Sequence, residues 1–397
     1  MARERLSWGQ VNPGAERWNW ESDRKYDTLR GLYGEQELPI LEVFHSTPGW
    51  MEQVGPYPRS LVKTARSWRN IVRRWRGVWG ALEVWNEPDI HFGGNLPADR
   101  YVPLVETLSR VMPRSEDGPL LVGGVFARHN RAYLELAARN GLLDAVDALS
   151  FHTYGRAGGM QQLVGRYHDW LRGHDRASMP LWITESGRPW SRGPGRPPRE
   201  GDAASALDIT MKAIEAKACG IDRYFAFVYP FYEEGSNNFG MMGRGATPLR
   251  SMAAYTWAAS VLGDSSYAGD LAVEADAVHR ARVFRRGGQA VAVLYTGESG
   301  PREGLKLPCE PEKVTGIDGR VLEASGRQVP VPDGLSYAVL PCDRVSGHLQ
   351  EDTTAMRLCR ESAREAPKRQ PQGPVVLQYL PDLDRLSGTS EGYVLPR

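Results

Sequence analysis

Short apolar runs recur along the first two thirds of the chain, and their spacing limits what it can fold into. Each run is typical of a buried strand, and a stretch with helical periodicity follows most of them. Their centres lie roughly 30 to 40 residues apart, the length of one strand with its helix. This alternation predicts a parallel sheet with helices outside it, as in a (β/α)8 TIM barrel. The runs span residues 3–8, 39–44, 81–85, 120–125, 148–151, 180–183 and 223–228.

These runs make seven strands, whereas a closed barrel of this class has eight. We therefore expect a barrel that lacks its first strand-helix unit, with that unit encoded upstream or lost. The intervening helices are predicted from apolar periodicity. They cover residues 58–76, 98–112, 132–140, 160–172 and 203–219.

The sequence pattern changes after residue 263. Stretches of alternating polarity separated by Gly-containing turns predict a small antiparallel β-sandwich over residues 264–345. Residues 346–397 are polar and contain proline, which predicts a linker or tail. Within them, residues 375–380 are expected to form one strand, which either joins the β-sandwich or begins a truncated further β domain. The predicted catalytic barrel is thus 1–263.

Charge and composition exclude several classes of protein. The chain has 49 Lys plus Arg and 48 Asp plus Glu, a net charge of +1, which argues against a nucleic-acid partner. Eleven of the 12 tryptophans precede residue 191, which supports a barrel followed by a different, smaller domain. The four cysteines form no CxxC pair, so neither a zinc site nor a disulfide framework is expected.

No membrane span and no leader are expected from the sequence. The longest uncharged apolar stretch is 251–263, which is too short for a transmembrane helix. No apolar run follows Met1, so no secretory signal is predicted within the chain. A signal peptide encoded upstream would place the protein in the periplasm or outside the cell, and its absence would place it in the cytoplasm. The sequence does not indicate an oligomeric state.

Two glutamates stand where predicted strands end. Glu87 lies in Val-Trp-Asn-Glu-Pro-Asp, and Glu185 lies in Trp-Ile-Thr-Glu-Ser-Gly. Catalytic residues of such barrels lie at the carboxyl ends of the strands. Two carboxylates at one face are what glycosidic bond cleavage requires, because one donates a proton and the other attacks the sugar or activates water. An ordinary turn is about as good an explanation of the Asn-Glu-Pro tripeptide by itself.

With these motifs the chain resembles the clan A retaining glycoside hydrolases, and loosely the β-xylosidase and α-L-iduronidase family. The segment around Glu87 is similar to the strand-four motif of the clan, and that around Glu185 to its strand-seven motif. The resemblance covers roughly residues 3–341. Segments similar to strands two, three, six and eight of the clan are Arg3–Trp8, Phe44–Trp50, Ser150–Tyr154 and Phe239–Gly240.

The resemblance implies roles for the matching residues. Glu87 would be the general acid and base, and Glu185 the nucleophile. Asn86 would bind the sugar hydroxyl beside the reacting carbon. Arg3 would lie near the nucleophile and keep it ionised, while Tyr154, together with the predicted binding residue His152, would orient Glu185 or contact sugar. The implied substrate is a glycoside, an oligosaccharide or a polysaccharide.

Further substrate-binding residues are predicted from their positions at or just beyond strand ends. Trp50, Trp190 and Tyr229 offer flat apolar faces on which a sugar ring can stack, although packing is as good an explanation for each. His45 is a further predicted binding residue. His45 and His152 lack a metal-ligand spacing, so no metal and no cofactor are predicted.

Two other readings compete with a glycoside hydrolase. A catalytically inactive, carbohydrate-binding remnant of a truncated glycosidase would explain the missing strand. A metal- or cofactor-dependent barrel enzyme would need ligands on several strands or phosphate-binding Gly loops, and the sequence shows neither.

Overall fold

A computed structural model describes residues 1–113, 118–272, 280–296, 304–350 and 352–362. The chain divides into two compact units. The first contains Met1–His152 and Leu171–Thr184, and the second contains Thr153–Trp170 and continues from Glu185. The strand predicted at 375–380 lies outside the described residues. The predicted borders at 263 and 345 stay predictions.

The predicted parallel sheet is present, with seven strands that follow one another in chain order. The described pairings among its first five strands are all parallel. Helices lie between successive strands, so the predicted (β/α)-barrel class is confirmed. The strands are β1 (Ala2–Leu6), β2 (Ile40–Phe44), β3 (Trp79–Val84), β4 (Leu120–Phe126), β5 (Ala148–Thr153), β6 (Leu181–Ser186) and β7 (Arg223–Ala226).

The predicted helices are found within four residues of the expected bounds, the second beginning four residues later and the fifth four residues earlier than expected. Some shorter helices escaped prediction. The helices are α1 (Trp8–Val11), α2 (Tyr26–Glu35), α3 (Leu61–Trp75), α4 (Val102–Val111), α5 (Arg131–Arg139), α6 (Leu142–Ala145), α7 (Met160–Gly173), α8 (Arg199–Ala218), α9 (Arg250–Leu262), α10 (Cys342–Val345) and α11 (Thr354–Ser362).

Helix α3 shows how sequence produces one barrel helix. Ser60 caps its N-terminus, with the side-chain oxygen accepting a hydrogen bond from the Lys63 amide. Trp68 lies on the buried face and contacts Phe44 of β2, with ring centroids 4.2 Å apart. Burial of two such aromatic side chains contributes several kcal/mol, which fixes the helix against the sheet.

The second unit contains the predicted antiparallel domain. Six strands pair in one sheet, and a two-stranded sheet of Leu305–Lys306 and Gln328–Val329 shares its apolar core. The predicted small β-sandwich is therefore confirmed. In sheet order the six strands are β11 (Lys313–Gly316), β12 (Leu335–Pro341), β10 (Gln289–Tyr295), β9 (Arg280–Arg286), β8 (Ser266–Leu271) and β13 (Leu349–Gln350).

Among the helices of the described residues, none is both long and apolar enough to cross a bilayer.

Candidate functional site

The segment that carries Glu87 leaves strand β3 through an unusual backbone turn. Trp85 and Glu87 have φ values of 72° and 46°, in the left-handed region that non-glycine residues rarely adopt. The Glu87 amide donates a hydrogen bond of 3.1 Å to the carbonyl of Val125 in β4. The Tyr133 hydroxyl donates to the carbonyl of Pro88 at 3.1 Å. Bonds to neighbouring elements thus hold a turn that the local sequence disfavours.

Asp89 fixes the same turn from its other side. Its carboxylate accepts hydrogen bonds from the backbone amides of Ala127 and Arg128 at 2.8 and 2.9 Å. Burial raises the pKa of Asp89, and these two bonds oppose the rise. Sequence reasoning quoted Asp89 within the motif but gave it no role.

Arg3 of β1 contacts residues of two other parts of the sheet, β3 with the turn after it and β5. Its guanidinium donates to Glu83 in β3, with Nε 2.8 Å from Oε2, and forms an ion pair with that carboxylate. It also donates to the side-chain oxygen of Asn86 at 3.2 Å. Glu83 is completely buried and was not predicted as a site residue. It is an ionisable residue in an otherwise apolar strand, a signal that could have identified it.

His152 completes this network. Its Nδ1 lies 2.9 Å from Oε1 of Glu87, and its Nε2 lies 3.5 Å from Nη2 of Arg3. Because a guanidinium can only donate, Nε2 accepts, and a neutral imidazole then carries its proton on Nδ1 and donates to Glu87. The same guanidinium disfavours a metal cation at Nε2. This bond joins His152 to Glu87, and the predicted role of His152 in orienting Glu185 stays a prediction.

Glu185 lies at a strand end of a different kind. It is the last residue but one of β6, in which every residue is buried, and is itself 9% exposed. The carbonyl of Ser186 accepts a 2.7 Å hydrogen bond from the Phe227 amide. A Cβ on Gly187 would lie 2.3 Å from the Phe227 carbonyl oxygen, so only glycine fits there.

The predicted sugar-binding residues differ in how exposed their side chains are and in whether these already make contacts. Tyr229 and Tyr154 are 58% and 40% exposed. Trp190 is buried and donates its ring N–H to the carbonyl of Gly240 at 3.2 Å, an arrangement typical of packing. Trp50 is half-buried and donates to the carbonyl of Asn12, and the half-buried His45 ring lies 5.3 Å from that of Phe92.

Within the first unit the structure therefore brings four predicted site residues together: Arg3, Asn86, Glu87 and His152. Within the second unit Tyr154 packs among the aromatic side chains that follow Glu185. Its ring lies 6.4 Å from Phe227 and 5.5 Å from Phe239.

Solved structures give the class of this fold. A family 39 glycoside hydrolase from the gut symbiont Bacteroides cellulosilyticus WH2 matches with a TM-score of 0.68 and 16% identity, over 85% of this chain and 74% of that one. A family 30 endoxylanase from Clostridium papyrosolvens C71 matches with a TM-score of 0.56 and 12% identity, over 86% and 89%. The fold is thus that of clan A glycoside hydrolases, as predicted.

A third solved structure is also similar in fold. The family 39 β-xylosidase from Caulobacter crescentus matches with a TM-score of 0.53 and 19% identity, over 74% of this chain and 70% of that one. No family model matches the chain, and no curated protein matches it. At such identities the likeness is one of fold.

Proposed function

We propose that this protein is a retaining glycoside hydrolase in which Glu87 is the general acid and base and Glu185 is the nucleophile. The observation that carries the proposal is their position: each lies at the carboxyl end of a strand in the same parallel sheet, β3 and β6. Parallel strands end at one edge, which is where barrels of this class hold their catalytic groups.

The reaction proceeds in two displacements. Glu87 protonates the glycosidic oxygen while the Glu185 carboxylate attacks the anomeric carbon, which breaks the glycosidic bond and forms a glycosyl ester. Glu87, now a carboxylate, takes a proton from water as the water attacks the same carbon and releases Glu185. Retention requires the two carboxyl groups to be about 5–5.5 Å apart.

Surrounding residues support these roles. The proton on Nδ1 of His152 is positioned to hold the Glu87 carboxylate in one orientation, and Arg3 fixes both His152 and Asn86. Asn86 keeps its amide nitrogen for a sugar hydroxyl, because its Oδ1 is used by Arg3. The exposed rings of Tyr154 and Tyr229 are the better candidates for sugar contact, and the engaged Trp190 is the weaker one.

Assays of aryl glycosides with E87A and E185A variants test the proposal. We expect the wild-type protein to hydrolyse at least one glycoside with retained configuration at the anomeric carbon, measured by NMR. E185A should lower kcat by a factor of about 10⁴ or more on every substrate, given the share of catalysis that a nucleophile supplies.

E87A should be impaired most on glycosides with poor leaving groups, because good leaving groups depart without a proton. E234A, which changes an exposed glutamate of the second unit, should match the wild type. A wild-type protein that binds glycans but cleaves none would instead support the inactive remnant, and full activity in E185A would refute the assigned nucleophile.

A further inference from the structure

Helix α8 contains a buried lysine beside the loop that follows Glu185. Lys212 is 1% exposed. Its Nζ forms an ion pair with Oδ2 of Asp208 at 2.7 Å and donates to the carbonyl of Gly187 at 2.9 Å. Burial lowers the pKa of Lys212, and the Asp208 carboxylate opposes that effect. A buried ion pair rarely stabilises a fold more than apolar residues of similar volume would. Stability alone therefore does not explain why Lys212 and Asp208 are paired here.

The carbonyl that Lys212 binds belongs to the residue two positions after Glu185. The next residue of this loop, Arg188, is also anchored to α8. The Ser205 hydroxyl donates to the carbonyl of Arg188 at 3.1 Å, and Nη1 of Arg188 donates to the carbonyl of Ala204 at 3.1 Å. Helix α8 therefore holds both Gly187 and Arg188, and Lys212 is the contact nearest in sequence to Glu185.

Asp208 keeps the lysine in place. Its Oδ1 accepts a hydrogen bond from the Ala157 amide at 3.4 Å, while its Oδ2 binds Lys212 one helical turn away. The carboxylate therefore neutralises the ammonium group and directs it toward Gly187. Since the pair is neutral as a whole, its effect on Glu185 acts through geometry more than through net charge.

On the basis of the function proposed above, we infer that Lys212 is a positioning residue for the nucleophile. Its ammonium fixes the Gly187 carbonyl, which restricts the backbone at the end of β6 and so the direction of the Glu185 carboxylate. A reacting group displaced by about 1 Å can lose a factor of about 10² in rate. The contact should therefore matter for the attack on the anomeric carbon and little for glycan binding.

The test compares K212M with the double variant K212M/D208N. Methionine is close to lysine in length but cannot donate, and the second change removes the carboxylate that would otherwise lose its partner. We expect the double variant to lower kcat by about 10² with KM within about threefold of the wild type. The rate of covalent labelling of Glu185 by an activated 2-fluoro glycoside should fall by the same factor.

The matched control is K217M, because Lys217 lies on the same helix and donates to a carbonyl, that of Gly263, far along the chain from Glu185. It should keep the wild-type kcat and labelling rate. If the wild-type protein is labelled and the folded double variant is labelled equally fast, Lys212 has no positioning role. If the wild type neither hydrolyses nor is labelled by any glycoside of the panel, the proposed function itself fails.

Discussion

The two strand ends beside the glutamates differ in backbone conformation and in the contacts that hold them. Glu87 follows β3 in a left-handed backbone conformation, and a side chain, His152, contacts its carboxylate. Glu185 still belongs to regular strand β6, and the described bonds around it hold the backbone that follows it. At β3 a described contact reaches the Glu87 carboxylate itself, and at β6 the contacts described above hold the backbone just after Glu185.

The contrast suits the two proposed tasks. A general acid and base exchanges protons, so a neighbouring imidazole can orient it in both protonation states. A nucleophile must approach one carbon along one direction, and a rigid strand end supplies that. Changes to the main chain should therefore damage the β6 end most, and changes to side chains should damage the β3 end.

G187A is expected to have the largest effect among the following variants. The new Cβ would lie 2.3 Å from the backbone oxygen of Phe227, so the loop after Glu185 has to shift. We expect kcat/KM to fall by a factor of about 10² or more, together with a lower melting temperature. G158A is the control, since nothing lies within 4 Å of a Cβ there. Wild-type activity in G187A would show that catalysis does not depend on the backbone position after Glu185.

H152A should have a smaller effect. The Glu87 carboxylate would lose the hydrogen bond that orients it, while the backbone turn around it keeps its own bonds. We expect kcat to fall by about 10- to 100-fold with KM little changed. H174A removes a comparable contact between a histidine and Glu135 elsewhere in the first unit and should leave kcat unchanged. An equal loss in both variants would point to general destabilisation.

A buried carboxylate outside both strand ends should affect stability alone. Glu42 in β2 binds Arg30 through two nitrogens and accepts from the Trp79 ring N–H at 3.1 Å. Burial raises the pKa of Glu42 to about 7, although Arg30 lowers it. A carboxyl whose folded-state pKa is raised stabilises the fold fully below about pH 4.5, and this contribution is lost as the pH rises through about 7.

Urea unfolding at several pH values measures this effect. Between pH 4.5 and 8 the free energy of unfolding of the wild type should lose up to about 3 kcal/mol relative to E42Q, which cannot titrate. E52Q alters an exposed ion pair with Arg59. Its free energy of unfolding should stay within about 1 kcal/mol of the wild-type value at each pH. A difference in the free energy of unfolding between wild type and E42Q that is constant at all pH values would contradict the raised pKa of Glu42.

Local sequence was sufficient to locate the strands and both glutamates. Apolar runs such as that of β6 cannot be left in water, and a polar motif directly after them must lie at the sheet edge. That reasoning found the seven parallel strands and the β-sandwich. It could not assign a role to Glu83 or Lys212. The role of a charged residue inside an apolar pattern cannot be inferred until the residue that it contacts is known.

Those partners lie far away along the chain. Arg3 and Glu83 are 80 residues apart, and Lys212 reaches a carbonyl 25 residues earlier. Only the tertiary structure brings these partners together. Only the tertiary structure shows that the Trp190 ring N–H donates to the carbonyl of Gly240. The sequence by itself determined where reactive groups stand, because strand ends follow from hydrophobic pattern. Which way they point was decided by the tertiary structure, because direction depends on hydrogen bonds between distant residues.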